Sequence, residues 1–307
     1  MSFRLGGMSL KIIGCPGSLE LAGKISILTT WPRVLIDTKR FPDGEFYFRF
    51  EENISGEDLL VVQSLFPSQD THLVELFLIL QTARDLKAKS INVFIPYLVY
   101  SRQDERYLDG ECLSAGLIAE LLQHLGADSL YTIDVHNQNV LNMYKIPAYT
   151  LSASGELAKY FVSKDLKDPF VVAPDDEEMA LKRAETAAES IGAEYDFFEK
   201  SRDRHTGDII THSKKVNAKG RDAIIIDDII STGKTSANVA KILKQQGARR
   251  VFIGVSHALL LGNALELLTA SGVDEIVGTD SVDNSYAKVS VAPILSRAFK
   301  TSKKYDF

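Results

Sequence analysis

The stretch Asp222-Ala-Ile-Ile-Ile-Asp-Asp-Ile-Ile-Ser-Thr-Gly-Lys-Thr235 constrains the fold of this chain more than any other segment. Its apolar run, Ala223 to Ile226, reads as a strand buried on both faces. Asp227 and Asp228 follow at once, then Ser231, Thr232, Gly233, Lys234 and Thr235, then a helix-like run from Ser236 to Gln246. A buried strand that feeds a helix through a short loop is half of a βαβ unit, which calls for a parallel sheet covered by helices. The loop also has a chemical reading. Backbone N–H groups at a helix start lack intrahelical partners and sit at the positive end of the helix dipole, so with neighbouring hydroxyls they suit a phosphate. The acid pair, one loop away, can accept hydrogen bonds from vicinal ribose hydroxyls. The G-x-x-x-x-G-K-[ST] spacing of a Walker A loop is absent, because Asp228 stands five residues before Gly233.

The same pattern runs along the chain. The first half offers strands at Lys11–Gly14, Leu59–Ser64, Ile91–Pro96 and Leu130–Val135, with helices near Gly17–Ile27, Thr71–Leu86 and Ser114–Leu125. The second half offers strands at Phe170–Pro174, Tyr195–Glu199, Ala223–Asp227, Val251–Val255 and Glu275–Gly278, with helices near Glu177–Ile191, Thr235–Gln246 and Asn263–Thr269. Alternating strands and helices predict α/β architecture, each half a mainly parallel sheet flanked by helices. The halves also resemble each other. Asp58-Leu-Leu-Val-Val-Gln-Ser matches Asp222-Ala-Ile-Ile-Ile-Asp-Asp, and Gly126–Asp134 parallels Gly272–Asp280, so the chain reads as a duplication. Residues 8–150 then form one domain and 151–307 another, with the boundary near Pro147–Gly155 ahead of a helix-like Gly155–Val162. The first copy has Gln63-Ser64 in place of the acid pair and Phe66-Pro67-Ser68 in place of the Gly-Lys-Thr loop. Only the second copy keeps the ribose-phosphate chemistry.

Composition removes several function classes. A formal charge of −6 and a pI near 5.6 argue against nucleic acid as the main partner. The 307 residues contain no apolar run of about 18, the length a membrane span needs. The start, Met1 to Gly7, is too short and too weakly apolar for a signal peptide; Met8 is an alternative start, with the first seven residues a disordered extension. Two cysteines, Cys15 and Cys112, make no disulfide framework or metal-ligand spacing, and a reduced, cytoplasmic setting is expected.

Further motifs sit at turns and at strand ends, where parallel sheets bind ligands. Phe41-Pro42-Asp43-Gly44-Glu45 is a turn ahead of the alternating Phe46–Phe50, and offers an aromatic ring to a base and two acids to amino or ribose groups. Tyr100-Ser-Arg102-Gln103-Asp104 follows the strand Ile91–Pro96; Arg102 suits phosphate oxygens, and Gln103 a purine edge. Asp134-Val-His136-Asn137 ends another strand, and His136 suits a metal or a nucleotide phosphate. Ala173-Pro174-Asp175 ends the first strand of the second half. Its carboxylate either holds Mg²⁺ or serves the start of the next helix. Lys200-Ser-Arg202 opens a polar connection, Ser201–Gly220, long enough for a lid over a polyphosphate.

Taken in order, these motifs resemble the ribose-phosphate diphosphokinase family, the phosphoribosyl diphosphate (PRPP) synthetases, over roughly Lys11 to Pro293, and are closer to archaeal-type members. The resemblance implies two tandem type I phosphoribosyltransferase-like domains. It also implies transfer of the β,γ-diphosphoryl group of ATP to O1 of ribose 5-phosphate, giving PRPP and AMP, with Mg²⁺. Phe41, Asp43, Gly44 and Glu45 would bind ATP, commonly from a neighbouring subunit, with Arg102, Gln103, Asp104 and His136. His136 and Asp175 would match the metal site, and Lys200 and Arg202 would act from a mobile flap. Asp227 and Asp228 would face the ribose hydroxyls, with Ser231, Thr232, Gly233, Lys234 and Thr235 around the 5-phosphate and Arg202 nearby. A homo-oligomer, with a dimer as its minimal unit, is implied. The chain departs from the family pattern at Asp176-Glu177-Glu178, where members usually carry glycine, and at Lys234, where many have glycine. Two rivals share the 227–235 loop: a PRPP-consuming phosphoribosyltransferase, and a non-catalytic regulatory relative. The tandem halves and the ATP motifs count against the first, and the presence of Lys200, Arg202 and His136 against the second.

Overall fold

The structure, a computed structural model, describes residues 10–106, 108–202, 209–212 and 215–301. The chain divides into two compact units, Met1–Leu151 with Ala292–Phe307, and Ser152–Val291. The expected extension before Met8 lies outside the described residues.

The first unit is built on a six-stranded parallel sheet of β1 (Lys11–Gly14), β2 (Arg33–Val34), β5 (Asp58–Val62), β6 (Ser90–Phe94), β7 (Ser129–Ile133) and β8 (Ala148–Leu151). A separate antiparallel hairpin joins β3 (Ile36–Arg40) to β4 (Phe46–Phe50). The helices are α1 (Leu19–Thr29), α2 (Gln69–Asp85) and α3 (Ser114–His124). The second unit has α4 (Ser154–Val162) and a six-stranded parallel sheet of β9 (Phe170–Ala173), β10 (Glu194–Phe197), β13 (Asp222–Ile230), β14 (Arg250–Ala258), β15 (Glu275–Thr279) and β16 (Ala287–Val289). Its hairpin joins β11 (Glu199–Arg202) to β12 (Ile209–His212), and its helices include α5 (Glu178–Ile191), α6 (Lys234–Gln245) and α7 (Ala264–Ala270). The last helix, α8 (Ala292–Thr301), packs on α1 and β8 of the first unit.

Strand order makes the duplication explicit. The first sheet runs β2-β1-β5-β6-β7-β8 and the second β10-β9-β13-β14-β15-β16, the same order shifted by eight strands, with a hairpin inserted at the same point in each. Right-handed crossovers between parallel strands place α1 on one face of the first sheet and α2 with α3 on the other; α5 and the pair α6, α7 repeat this. Both faces are therefore covered, which is why β5, β7, β9 and the first half of β13 are buried almost throughout. In each sheet the winding direction reverses between the first strand and the hairpin-following strand. The switch points lie between β1 and β5 and between β9 and β13.

Three features differ from the sequence reading. The acid pair lies within a strand, since β13 continues to Ile230 and pairs with β14 as far as Ala258. The edge strands β2, β8 and β16 are too short, or too exposed, to show a buried-strand pattern. The end of the chain, expected with the second half, contributes α8 to the first unit. There Phe299 packs edge-on against Trp31 at 5.3 Å and tilted against Tyr131 at 4.7 Å.

Candidate functional site

In the second unit the switch point carries carboxylates. Asp175 lies two residues past the end of β9, and its Oδ1 accepts from the Glu177 backbone N–H at 3.3 Å, tying the chain into a turn before α5. Asp227 and Asp228 lie on β13, the neighbouring strand. Arg183 reaches in from α5 to within 3.3 Å of Asp228. Asp175, Asp228 and Arg183 are buried. The Asp227 carboxyl is pushed well above the usual carboxylate range, first by burial and then by the charge and hydrogen bond of Asp228; Arg183 opposes the rise and Asp175 adds to it. Three acids and one arginine thus share one pocket of charge at the crevice where parallel sheets take ligands.

The loop beyond β13 completes this site. Ser231 and Thr235 are half-buried, Thr232 and Lys234 exposed, and α6 starts at Lys234. Gly233 precedes it at φ +75°, a conformation that favours glycine, and a Cβ there would come within 3.3 Å of the Leu268 side chain. The Leu261 N–H donates to the Ser231 carbonyl at 2.8 Å, which steadies the loop from the β14 side. The first turn of α6 thus presents its orphan N–H groups just beyond the acid pair.

The first unit fills the matching position with its own side chains and backbone. Gln63, at the position of Asp227, is fully buried. Its Oε1 accepts from Gly17 N–H at 3.2 Å, and its Nε2 donates to the His72 carbonyl at 3.2 Å. Ser64 N–H donates to Ser18 Oγ. A Cβ on Gly17 would lie 2.6 Å from the Ser64 carbonyl oxygen, so the loop after β1 fills this switch point with the protein's own backbone.

The remaining sequence motifs of this unit stand at turns and strand ends. Arg102, Gln103 and Asp104 follow β6, and His136 and Asn137 follow β7. Asn137 Nδ2 donates to Asp104 Oδ2, joining the two loops, while Ala115 N–H at the start of α3 donates to the Gln103 carbonyl at 3.3 Å. Tyr100, at φ +61°, bonds Asp70 at the start of α2. Arg102 and His136 are exposed on this platform. The Phe41–Glu45 turn caps the β3–β4 hairpin. Gly44 N–H donates to the Phe41 carbonyl at 2.8 Å, Glu45 N–H donates to Asp43 Oδ1 at 3.1 Å, and Gly44 takes φ +96°. The Phe41 ring is 42 % exposed, with Tyr47 edge-on at 5.9 Å and Lys39 Nζ 5.3 Å from its centroid.

Lys200 and Arg202 lie on β11, paired with Thr211 and Ile209. The tip of the expected 201–220 flap, residues 203–208, and residues 213–214 lie outside the described residues. His136 belongs to the first unit and Asp175 to the second. Among the described residues, no group of three or more His, Cys, Asp or Glu forms a metal-holding cluster by itself. Sequence reading passed over Arg183. Its signal was spacing, because Ala180, Ala184 and Ala187 put position 183 on the buried face of α5, where a charge calls for a partner.

Comparison with known proteins agrees with this fold. Residues 10–126 match the family profile described as the N-terminal domain of ribose phosphate pyrophosphokinase, and residues 213–296 the phosphoribosyl synthetase-associated domain. The ribose-phosphate pyrophosphokinase of Sulfurisphaera tokodaii is 42% identical over 284 residues, covering 92% of this chain and 97% of that protein. That of Methanothermobacter thermautotrophicus is 35% identical over 290 residues, covering 94% and 99%. The crystal structure of phosphoribosylpyrophosphate synthetase from Mycobacterium smegmatis superposes with a TM-score of 0.82 at 27% identity, covering 96% of this chain and 99% of that one. On these grounds the chain belongs to the ribose-phosphate pyrophosphokinase family.

Proposed function

We propose that this chain makes PRPP, with ribose 5-phosphate seated in the second unit and ATP bound through the motifs of the first. The observation that carries this reading is the contrast between the two switch points. One is lined by Asp175, Asp227, Asp228 and the Gly233 loop; its counterpart is filled by Gln63 and the loop after β1.

Asp227 and Asp228 accept hydrogen bonds from the ribose 2- and 3-hydroxyls. Ser231, Thr232, Thr235, Lys234 and the backbone after Gly233 hold the 5-phosphate, with Arg202 assisting. Phe41, Asp43, Gly44 and Glu45 bind adenine and its ribose, and Arg102, Gln103, Asp104 and His136 complete the ATP site. With O1 of the sugar aimed at the β-phosphorus, AMP departs in line. Lys200 and Arg202 stabilise the charge that builds on the phosphoryl oxygens.

The residues present fit Mg²⁺. Mutually repelling carboxylates at Asp175, Asp227 and Asp228 favour a cation, and Mg²⁺ is usually held by one or two carboxylates together with substrate phosphates and water. By family resemblance Asp175 and His136 would hold it, and the bound ion would neutralise polyphosphate charge. The ATP turn is read as serving a neighbouring subunit, which makes a dimer the minimal unit. No helix among the described residues is long and apolar enough to cross a membrane, and the cytoplasm is the proposed location.

The test is an assay of the purified protein with Mg²⁺, ATP and ribose 5-phosphate. AMP and PRPP in equal amounts are expected. ADP as product, PRPP consumption with a free base, or no turnover overturns the reading.

A further inference from the structure

The Phe41–Glu45 turn is exposed at the end of a two-stranded hairpin, yet a binding turn needs a fixed geometry. One buried carboxylate supplies the fixing. Glu75 lies on α2, six residues into the helix, and is 2 % exposed although it is charged. Its Oε1 accepts from Arg40 Nη2, and its Oε2 lies 2.8 Å from His72 Nδ1 and 3.5 Å from Gln63 Nε2. Arg40 is the last residue of β3, immediately before the turn. Its Nη1 donates to the Gly44 carbonyl at 3.0 Å, and its guanidinium lies 5.6 Å from the centroid of Phe46. The guanidinium therefore bridges the body of the unit and the turn. A buried carboxylate is costly unless it is paired, and a planar fork with several donors can serve two acceptors at once.

We infer that Glu75, acting through Arg40, is a positioning residue for the nucleotide-binding turn. The inference rests on the reading of Phe41–Glu45 as part of the ATP site. Gln63 and His72 steady the Glu75 carboxylate from the other side, so the position that lost its sugar chemistry anchors the hairpin. Without the clamp, the hairpin keeps its strand pairing but the turn loses its tie to α2.

The experiment is a double-mutant cycle on KM for ATP and for ribose 5-phosphate, using Glu75→Gln, Phe41→Ala and the pair. Glu75→Gln is expected to raise KM for ATP about 5–10-fold, with KM for ribose 5-phosphate within about twofold, in line with loss of one charge-assisted contact. In the Phe41→Ala background the same substitution should have little further effect, because both act on one turn. Arg40→Ala, at a side chain 47% exposed, should reproduce the ATP effect and carries the cycle if Glu75→Gln does not fold. Independent effects that multiply, or equal changes in both KM values, reduce Glu75 to a structural residue and overturn the proposal. If Phe41→Ala itself leaves KM for ATP unchanged, the assignment of the turn fails, and the positioning role fails with it.

Discussion

Asp227 and Asp228 form an acid pair that the fold holds at a cost. The charge and hydrogen bond of Asp228, added to burial, raise the proton affinity of Asp227, so the folded state binds that proton more tightly than the unfolded chain does. For a group with a raised folded pKa, the linked stability is present below the unfolded value, about 4, and is lost as pH rises toward the folded value. Asp227→Asn removes the titrating charge. The ligand-free variant should therefore melt higher than wild type at pH 7–8, by roughly 2–4 °C for each kcal/mol of repulsion relieved. The gain should shrink near pH 4, and KM for ribose 5-phosphate should rise sharply. Equal melting temperatures across that range, measured by calorimetry, would remove the electrostatic account. Lys200 belongs to a different class of residue, proposed to act on charge that develops during transfer. Lys200→Ala should lower kcat by about 10²–10³ while moving KM little, as loss of a transition-state donor does. A dominant KM effect rejects that role.

At the scale of elements, the join between β13 and α6 shapes the loop proposed to hold the 5-phosphate. A strand that runs through the acid pair to Ile230 must turn into a helix within three residues, and Gly233 makes the turn at φ +75° beside Leu268. Any other residue there pays about 1–2 kcal/mol for the left-handed backbone, before its Cβ meets Leu268. Gly233→Val should therefore weaken ribose 5-phosphate binding and lower the melting temperature, with KM for ATP nearly unchanged. A steady-state matrix of both substrates checks this, and a variant with wild-type KM for ribose 5-phosphate removes the loop from the site. The two hairpins form the other informative pair. β3–β4 and β11–β12 enter their units at equivalent points, so one position carries the Phe41–Glu45 turn, proposed to bind nucleotide, and the other the Lys200 strand. The motifs share no residues that would show this kinship. It rests on strand order, which a single sequence does not print.

At the scale of the whole molecule, the terminal helices are exchanged between the repeats. α4 follows the last strand of the first sheet but packs in the second unit, on α5, whereas α8 follows the last strand of the second sheet and packs in the first, on α1. Each unit is thus finished by a helix that follows the other unit's sheet. Removing residues 292–307 should strip Trp31 and Tyr131 of the Phe299 ring and selectively destabilise the first unit. Hydrogen exchange should then quicken in α1 and β8 while β13 and β14 stay protected; uniform protection in the truncated chain would contradict the exchange. Phe299→Ala should weaken the same unit, by roughly 2–3 kcal/mol for a half-buried aromatic. The division between what the residues alone determined and what folding decided has a physical basis. Local sequence determined the buried strands, the alternation with helices and the chemistry of the loop after Asp228, because each depends on neighbours within a few positions. It also gave the duplication, since Gln63-Ser64 and Asp227-Asp228 occupy matching places. Tertiary structure decided what lies far apart along the chain: Arg183 beside Asp228, Asp175 beside Asp227, the Glu75–Arg40 clamp and the unit that receives α8. Such contacts come from strand order and helix packing, and neither periodicity nor spacing encodes a partner 35 or more residues away.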